Sequence, residues 1–251
     1  MGKISVVGIG PGSMDDMTYR AHRTIEEATA VVGYSRYIQL IADLVEGKKV
    51  LDTGMTQEID RCRAALEEAA AGENVVVISS GDAGIYGMAG LVLELLMKMD
   101  EDQRPEFGGV IPGVSAMSAA AGLLGAPIMH DFAVISLSDL LTPWELIQER
   151  AELAAKGDFV TVLYNPRSHK RVGQIQAVQE IFLRERASET PVGIVTSASR
   201  EGENVVISTL GAFTKEDINM FSIVIIGNSK TKQNGQWMIT PRGYQKREPG
   251  L

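Results

Sequence analysis

The chain contains 251 residues, of which 45% are hydrophobic and 22% charged, as expected for a globular protein with a substantial core. Its formal net charge is −8 and it has no block of Lys and Arg, which argues against nucleic acid as the main partner because phosphate binding needs clustered positive charge. A single cysteine excludes an internal disulfide and a cysteine-based metal cluster, and no stretch resembles a signal peptide or a membrane span, so we expect a cytoplasmic enzyme.

Apolar runs alternate with helical patterns in the first half of the chain. Runs rich in Val and Ile predict buried strands at residues 3–10, 28–34, 74–81 and 107–113. The segments between them predict helices at residues 16–27, 56–71 and 86–99. Strands that alternate with helices indicate a parallel sheet with crossover helices.

The second half repeats this scheme with different spacing. It predicts strands at residues 131–137, 158–165, 191–198, 204–210 and 221–228, and helices at 143–155 and 169–186. The short gap before residue 204 predicts a hairpin, so this sheet should be mixed. We therefore predict two α/β domains, at residues 1–113 and 114–244, followed by a polar tail at 245–251.

The segment "VVGIGPGS" ends the first predicted strand and resembles a dinucleotide-binding turn. The third position of that fingerprint is Ser13 rather than Gly or Ala, and Pro11 removes one N–H donor. The second strand ends in "AVVGYS", without the acidic residue that would bind a ribose. These departures disfavour a dinucleotide site. The glycines favour a ligand-lining loop at the carboxyl edge of the sheet, and a purely structural turn is the alternative.

Two further glycine-bearing segments follow predicted strands. In "SSGDAGIYG", Asp82 either caps the next helix or faces the ligand edge of the sheet, and we favour the second interpretation. In "PGVSAMSAAAG", Pro112 and Gly113 turn the chain, and Ser115 is a candidate cap for a helix of small residues.

These three segments, in this order, resemble the tetrapyrrole (uroporphyrin-III and corrin) methylase family, and the resemblance covers residues 3 to about 244. The more specific motifs "MHDFAVISLSDLLTPWE" and "LYNPRS" resemble the branch that methylates C17 of precorrin-3B or cobalt-factor III during corrin-ring contraction. The resemblance implies a homodimer, with S-adenosylmethionine as methyl donor and S-adenosylhomocysteine as product. It also implies that the ligands bind in a cleft between two α/β domains.

The resemblance also assigns site residues, position by position. The cofactor-binding residues that it implies are Pro11, Gly81, Asp82, Ile85, Ser115, Ala116, Tyr164, Asn165, Ala198 and Leu210. It places Gly10 and Gly12 on the tetrapyrrole side. Members of the family often have Pro where this chain has Ala83, a departure that leaves Asp82 in place.

A tetrapyrrole substrate with many carboxylates requires a locally basic site in an acidic protein. The best candidates are Arg167, Lys170 and Arg171 in "YNPRSHKRV", with Arg200 as a second position. A solvated basic helix start is the alternative interpretation. The sequence predicts no metal site, since methyl transfer from a sulfonium requires none.

Ring contraction would need a general base. His130 and Asp131 in "APIMHDF" are the tentative candidates, although a structural His in a turn explains the motif equally well. Two other functions remain open. One is a methylase of the same fold that acts on another tetrapyrrole or a macromolecule, and the other is a non-catalytic nucleotide-binding module.

Overall fold

A computed structural model describes residues 1–54, 57–244 and 247. The chain forms two compact units, Met1–Ala116 and Met117–Leu251, so the division falls a few residues beyond the predicted boundary. Apart from Arg247, the tail predicted at 245–251 lies outside the described residues. No helix in the described part of the chain is long and apolar enough to cross a membrane.

The first unit is built on a parallel sheet, as predicted, but the sheet has five strands where the sequence indicated four. Its strands follow the order β3-β2-β4-β1-β5. Their bounds are β1 Lys3–Gly8, β2 Ala30–Tyr34, β3 Lys49–Thr53, β4 Asn74–Ser79 and β5 Glu106–Ile111. The central strands are buried on both faces, which explains their continuous Val and Ile runs.

Helices cover both faces of this sheet. They are α1 Tyr19–Glu26, α2 Ser35–Gln39, α3 Ala42–Val45, α4 Glu58–Ala70 and α5 Ala89–Leu96. Val6 points into the core beneath α4 and α5, whereas Val7 points into the core beneath α1. The helix predicted from residue 16 starts later, because Thr18 is the N-cap and its side chain accepts a hydrogen bond from Ala21 N–H.

The second unit contains a mixed five-stranded sheet in the order β10-β9-β11-β8-β7. Its strands are β7 Phe132–Ser136, β8 Val160–Tyr164, β9 Pro191–Thr196, β10 Asn204–Thr209 and β11 Ser222–Ile226. Only β7 and β8 run parallel within this sheet, and β9 and β10 form the predicted hairpin. A small separate sheet joins β6 Gly125–Ala126, β12 Lys232–Asn234 and β13 Trp237–Ile239.

Three helices complete the second unit: α6 Ala116–Leu124, which begins at the last residue of the first unit, α7 Trp144–Lys156 and α8 Gln174–Leu183. Helices α7 and α8 bury one face of the sheet in a core that includes Phe182 and Phe213. The prediction of a helix from residue 169 was wrong, since α8 begins at Gln174. The basic residues Arg167 to Arg171 therefore lie in a loop.

Candidate functional site

Three loops meet at the carboxyl edge of the first sheet through glycine backbones. A Cβ atom added to Gly8 would lie 2.6 Å from Gly81 O and 2.7 Å from Gly113 N. One added to Gly113 would lie 2.6 Å from Gly8 O and closer still to Gly81 O. The ends of β1, β4 and β5 can approach this closely only because these residues have no side chain. We call Gly8, Gly81 and Gly113 the glycine junction.

Backbone hydrogen bonds extend this junction to the opening loop. Gly10 N–H donates to Gly81 O (3.1 Å) and Gly81 N–H donates to Gly10 O (2.7 Å). Both residues have positive φ, 81° and 68°, which favours glycine. Pro11 follows directly and is buried. The glycine loop is therefore held against the loop that carries Asp82.

Asp82 braces two of these loops. Its Oδ1 accepts from Gly84 N–H (2.8 Å) and its Oδ2 accepts from Gly113 N–H (3.1 Å). It does not cap α5, because that helix begins at Ala89 with Met88 as N-cap. Each carboxylate oxygen can accept a further hydrogen bond, so Asp82 can still bind a ligand N–H or O–H group.

The other predicted cofactor residues of this unit lie on the same two loops. Ile85 is half-buried and precedes Tyr86, whose φ of 52° is rare for a residue with a side chain. Ser115 is buried and Ala116 begins α6, and a Cβ added to Gly81 would lie 3.4 Å from Ala116 N. Small side chains and backbone polar groups form this edge, so a small molecule could approach the backbone closely here.

The carboxyl ends of β7 and β8 in the second unit are held together by side chains. Asn165 Nδ2 donates to Ser136 Oγ (2.9 Å), and Asn165 has a φ of 50°. Tyr164 Oη accepts a hydrogen bond from Met117 N–H at 3.0 Å. Both predicted cofactor residues are half-buried, and the left-handed backbone at Asn165 is the type of strain that clusters at binding sites.

Ala198 and Arg200 follow β9 at the same edge. Ser197 and Ser199, on either side of Ala198, have φ values of 53° and 59°. Ser197 N–H donates to Phe221 O (3.1 Å), and Arg200 N–H donates to Ser197 O (2.9 Å). The antiparallel partner β11 therefore contributes its first residues to this edge.

The predicted basic residues separate into two groups. Arg171 Nη1 donates to Leu137 O (2.8 Å) and Asn165 O (2.9 Å), and its Nε lies 3.7 Å from Asp139 Oδ1. This side chain braces the loops after β7 and β8. Arg167, by contrast, lines a cavity together with His169, and Lys170 is exposed.

Leu210 is not brought together with the other predicted cofactor residues. It follows β10, whose last residue, Thr209, pairs with Pro191 at the start of β9, whereas Ala198 follows the end of β9. Leu210 is fully buried in the core, and its carbonyl accepts from Gln179 Nε2 (2.7 Å). The structure therefore does not place Leu210 at the carboxyl edge of the second sheet.

His130 and Asp131 lie at the amino end of β7, the opposite edge from Ser136. Asp131 N–H donates to His130 Nδ1 (2.8 Å), and the side chains are 46% and 84% exposed. The structure does not bring this pair together with Tyr164 or Asn165. Its prediction as general base gains no support from the placement.

Met220 and Phe221 lie at the carboxyl edge of the second sheet, a position that the sequence did not indicate. Both precede β11 and line the cavity that contains Arg167 and His169. The only available signal was the flanking Asn219 and Ser222, a polar pair typical of a turn. The order of strands in a mixed sheet was needed to place this turn at the candidate site.

Neither a metal cluster nor a reactive cysteine is found among the described residues. Among residues 1–54, 57–244 and 247, no group of three or more His, Cys, Asp or Glu side chains is arranged to hold a metal ion. Cys62 is buried on α4, and burial raises the pKa of its thiol to about 11. It is therefore an unreactive core residue.

Comparison with known proteins identifies the family of the chain. The sequence model of the tetrapyrrole (corrin/porphyrin) methylases matches residues 3–214. The chain belongs to the tetrapyrrole (corrin/porphyrin) methylase family.

Two curated relatives point to one branch of this family. The chain is 50% identical over 241 residues to a probable cobalt-factor III C(17)-methyltransferase of Salmonella typhimurium, and the match covers 96% of this chain and 99% of the relative. It is 49% identical over 249 residues to a cobalt-factor III methyltransferase of Priestia megaterium, covering 98% of this chain. The chain spans only 46% of the length of the Priestia protein.

Solved structures show the same fold. The methyltransferase CobJ superposes with a TM-score of 0.90 at 38% identity, covering 96% of this chain and 100% of that one. A uroporphyrin-III C-methyltransferase from Thermus thermophilus, complexed with S-adenyl homocysteine, superposes with a TM-score of 0.70 at 24% identity, covering 90% and 97%. The predicted fold of two α/β units is confirmed.

Proposed function

We propose that this protein is an S-adenosylmethionine-dependent methyltransferase that methylates C17 of precorrin-3B or cobalt-factor III, with ring contraction, in cobalamin (corrin) biosynthesis. The observation that carries the proposal is the 50% identity to the probable cobalt-factor III C(17)-methyltransferase of Salmonella typhimurium, across nearly the full length of both chains. The proposal also accounts for the two rigid loop clusters at the carboxyl edges of the sheets.

S-adenosylmethionine, when bound, supplies a methyl group on a positively charged sulfur, and the neutral thioether is a good leaving group. We assign its binding to residues of the first unit, namely Pro11, Gly81, Asp82, Ile85, Ser115 and Ala116, and of the second unit, namely Tyr164, Asn165 and Ala198. Asp82 has oxygen lone pairs left for a ligand amino or hydroxyl group, and the small residues leave room beside the backbone. The residues present therefore fit the cofactor.

The protein's contribution to this reaction is position and exclusion of water. Orientation of two reactants can lower the barrier by roughly 7–11 kcal/mol when the geometry is held rigidly. The glycine junction and the Asn165–Ser136 hydrogen bond supply such rigidity without a nucleophilic side chain. This role agrees with Cys62 being buried and protonated.

We assign substrate binding to Gly10, Gly12, Arg167, Lys170 and Arg200. Arg167 and Lys170 give a local positive charge in a protein whose net charge is −8. Arg171 belongs to the same loop, and its guanidinium already binds two backbone carbonyls, so we propose that it positions the loop. The identity of the general base, for which His130 and Asp131 are the sequence candidates, stays a prediction. The homodimer that the resemblance implies and the cytoplasmic location expected from the sequence also stay predictions.

The direct test is methyl transfer. The purified full chain is incubated with isotope-labelled S-adenosylmethionine and either precorrin-3B or cobalt-factor III, and the product is identified by mass spectrometry and NMR. We expect the gain of one methyl group at C17 in a contracted ring. A methyl group on an unchanged macrocycle would remove the contraction, and no transfer to either substrate would overturn the proposal.

Calorimetry separates the proposed enzyme from a nucleotide-binding module. We expect S-adenosylhomocysteine to bind and NAD(H) to give no heat of binding. Binding of NAD(H) without binding of S-adenosylhomocysteine would contradict the assignment of the glycine loops.

A further inference from the structure

An open cavity of about 480 Å³ lies at the carboxyl edge of the second sheet. One side is the loop after β8, with Arg167, His169 and Val172, and the other is the segment before β11, from Ile218 to Phe221. This volume falls in the range of roughly 300–1,000 Å³ that is usual for small-molecule sites. The position next to Asn165 puts the cavity at the edge where ligands of this protein are proposed to bind.

The segment before β11 presents apolar side chains to the cavity. Phe221 is 45% exposed and Met220 is 38% exposed, above the buried Ile218. Apolar surface left in water at a cavity wall is favourably covered by an apolar ligand surface. A flat ring system would cover both side chains at once.

Both walls of the cavity are held in place by hydrogen bonds. Asn219 Oδ1 accepts from Phe221 N–H (2.9 Å), Ser222 Oγ accepts from Asn219 N–H (3.1 Å), and Ser222 Oγ lies 2.8 Å from Thr196 Oγ1. In the opposite wall, Ser168 N–H donates to Arg171 O and Arg171 N–H donates to Ser168 Oγ, each at 3.1 Å. Fixed walls lower the entropy cost of binding a rigid ligand.

The loop after β8 supplies the polar half of the cavity. The Arg167 guanidinium can bind a carboxylate through two parallel hydrogen bonds, and His169 is a further donor. The whole chain carries a net charge of −8, so an anionic ligand gains its attraction here from local cations. The cavity thus combines an apolar wall with a cationic rim.

We propose that this cavity binds one face and one carboxylate-bearing edge of a planar, polyanionic macrocycle, with Phe221 and Met220 against the ring and Arg167 on a peripheral carboxylate. The inference rests on the proposed function and deepens it, because it assigns the ring-contacting side chains of the substrate site. Phe221 and Met220 then determine which ring binds and how deeply it enters.

The test measures KM for cobalt-factor III or precorrin-3B and, separately, the Kd for S-adenosylhomocysteine in four proteins: wild type, Phe221→Leu, Phe221→Tyr and Phe159→Leu. Phe159 is the matched control, since it is 38% exposed and precedes β8 at the opposite edge of the sheet. We expect Phe221→Leu to raise the tetrapyrrole KM by about 3- to 10-fold, the usual value of an aromatic contact. The Kd of Phe221→Leu for S-adenosylhomocysteine should not change. Phe221→Tyr keeps an aromatic ring, so its tetrapyrrole KM should stay near the wild-type value. Phe159→Leu should have the same KM and Kd as the wild type.

Binding of uroporphyrin III, measured by quenching of tryptophan fluorescence, gives a readout that needs no turnover. Suppose that the wild type binds uroporphyrin III more tightly than Phe221→Leu does, but transfers no methyl group to precorrin-3B or cobalt-factor III. The proposed function then fails and the cavity assignment stands. If the wild type transfers methyl and Phe221→Leu leaves the tetrapyrrole KM unchanged, the cavity assignment fails alone. A rise in the S-adenosylhomocysteine Kd without a rise in the tetrapyrrole KM would assign the cavity to the adenosyl group and overturn the inference.

Discussion

The carboxyl edges of the two sheets are made rigid in different ways. In the first unit, the loops after β1, β4 and β5 touch through the glycine junction, where a Cβ added to Gly8 or Gly113 would overlap the backbone of a neighbouring loop. In the second unit, the loops after β7 and β8 are joined by the side chains of Asn165 and Arg171. The loops of the first unit are held close by the absence of side chains, and those of the second unit are held together by side-chain hydrogen bonds.

This difference follows from the two sheet types. The first sheet is entirely parallel, so neighbouring strands end side by side and their loops crowd together. In the mixed second sheet, antiparallel β11 starts where β8 and β9 end. Side-chain hydrogen bonds join the loops at this edge, and a cavity lies between the loop after β8 and the segment before β11. Substitutions should therefore act through steric overlap in the first unit and through lost hydrogen bonds in the second.

The largest effect is expected for Gly113→Ala. The new Cβ would lie 2.6 Å from Gly8 O, so the ends of β1 and β5 must separate. We expect a loss of about 3 kcal/mol in the free energy of unfolding, at the upper end of overpacking costs. A shift of the reacting groups by about 1 Å would also lower kcat by roughly 100-fold. Urea unfolding and methyl-transfer rates measure the two effects.

Gly90→Ala is the matched control, since Gly90 lies in α5 and a Cβ there meets no atom within 4 Å apart from its chain neighbours and the backbone of its own helix. This variant should be as stable as the wild type or gain up to about 1 kcal/mol from the better helix former. Equal stability of Gly113→Ala and Gly90→Ala would show that the junction can relax, and the contrast between the two edges would not hold.

A smaller effect is expected for Arg171→Met. Its side chain is 16% exposed, and removing the guanidinium leaves the carbonyls of Leu137 and Asn165 without this donor. We expect a loss of about 1–3 kcal/mol in the free energy of unfolding, measured in urea, and weaker binding of both ligands because Asn165 shifts. The exposed Arg150→Met on α7 is the control. Weaker tetrapyrrole binding at unchanged stability would instead show that Arg171 contacts the substrate directly, as the sequence predicted.

Much of the fold could be predicted from the apolar runs, because buried central strands carry them on both faces. Strand β3 was missed because it is an edge strand in which Lys49, Val50 and Asp52 are exposed, so no continuous apolar run marks it. The start of α8 was predicted too early because Lys170 and Arg171 are good helix formers. The hydrogen bonds of Arg171 to two neighbouring loops override this propensity.

The loop clusters of the two units differ in how far the sequence could define them. In a parallel sheet every strand ends at the same edge, so the loops containing Gly10, Asp82 and Gly113 could be placed together from the strand pattern alone. In the mixed sheet, the direction of each strand depends on its pairing. The sequence could not show that the start of β11 lies at the carboxyl edge and that the end of β10 does not. It therefore did not indicate that Phe221 lies at this edge, and it grouped Leu210 with residues from which the structure separates it.

The smallest effect is expected for His130→Ala and Asp131→Ala, which test whether the amino edge of the second sheet takes part in the reaction. Both side chains lie at the start of β7, and the five residues of that strand separate them from Ser136 by roughly 17 Å. Loss of a general base would lower kcat by about 10²- to 10⁴-fold, whereas we expect each variant to retain kcat within about twofold. The pH profile of kcat should also be unchanged. A large fall in kcat, together with a shift in the acidic limb of its pH profile, would show that the amino edge of the second sheet contributes a catalytic group. It would support His130 and Asp131 as the general-base candidates that the sequence predicted.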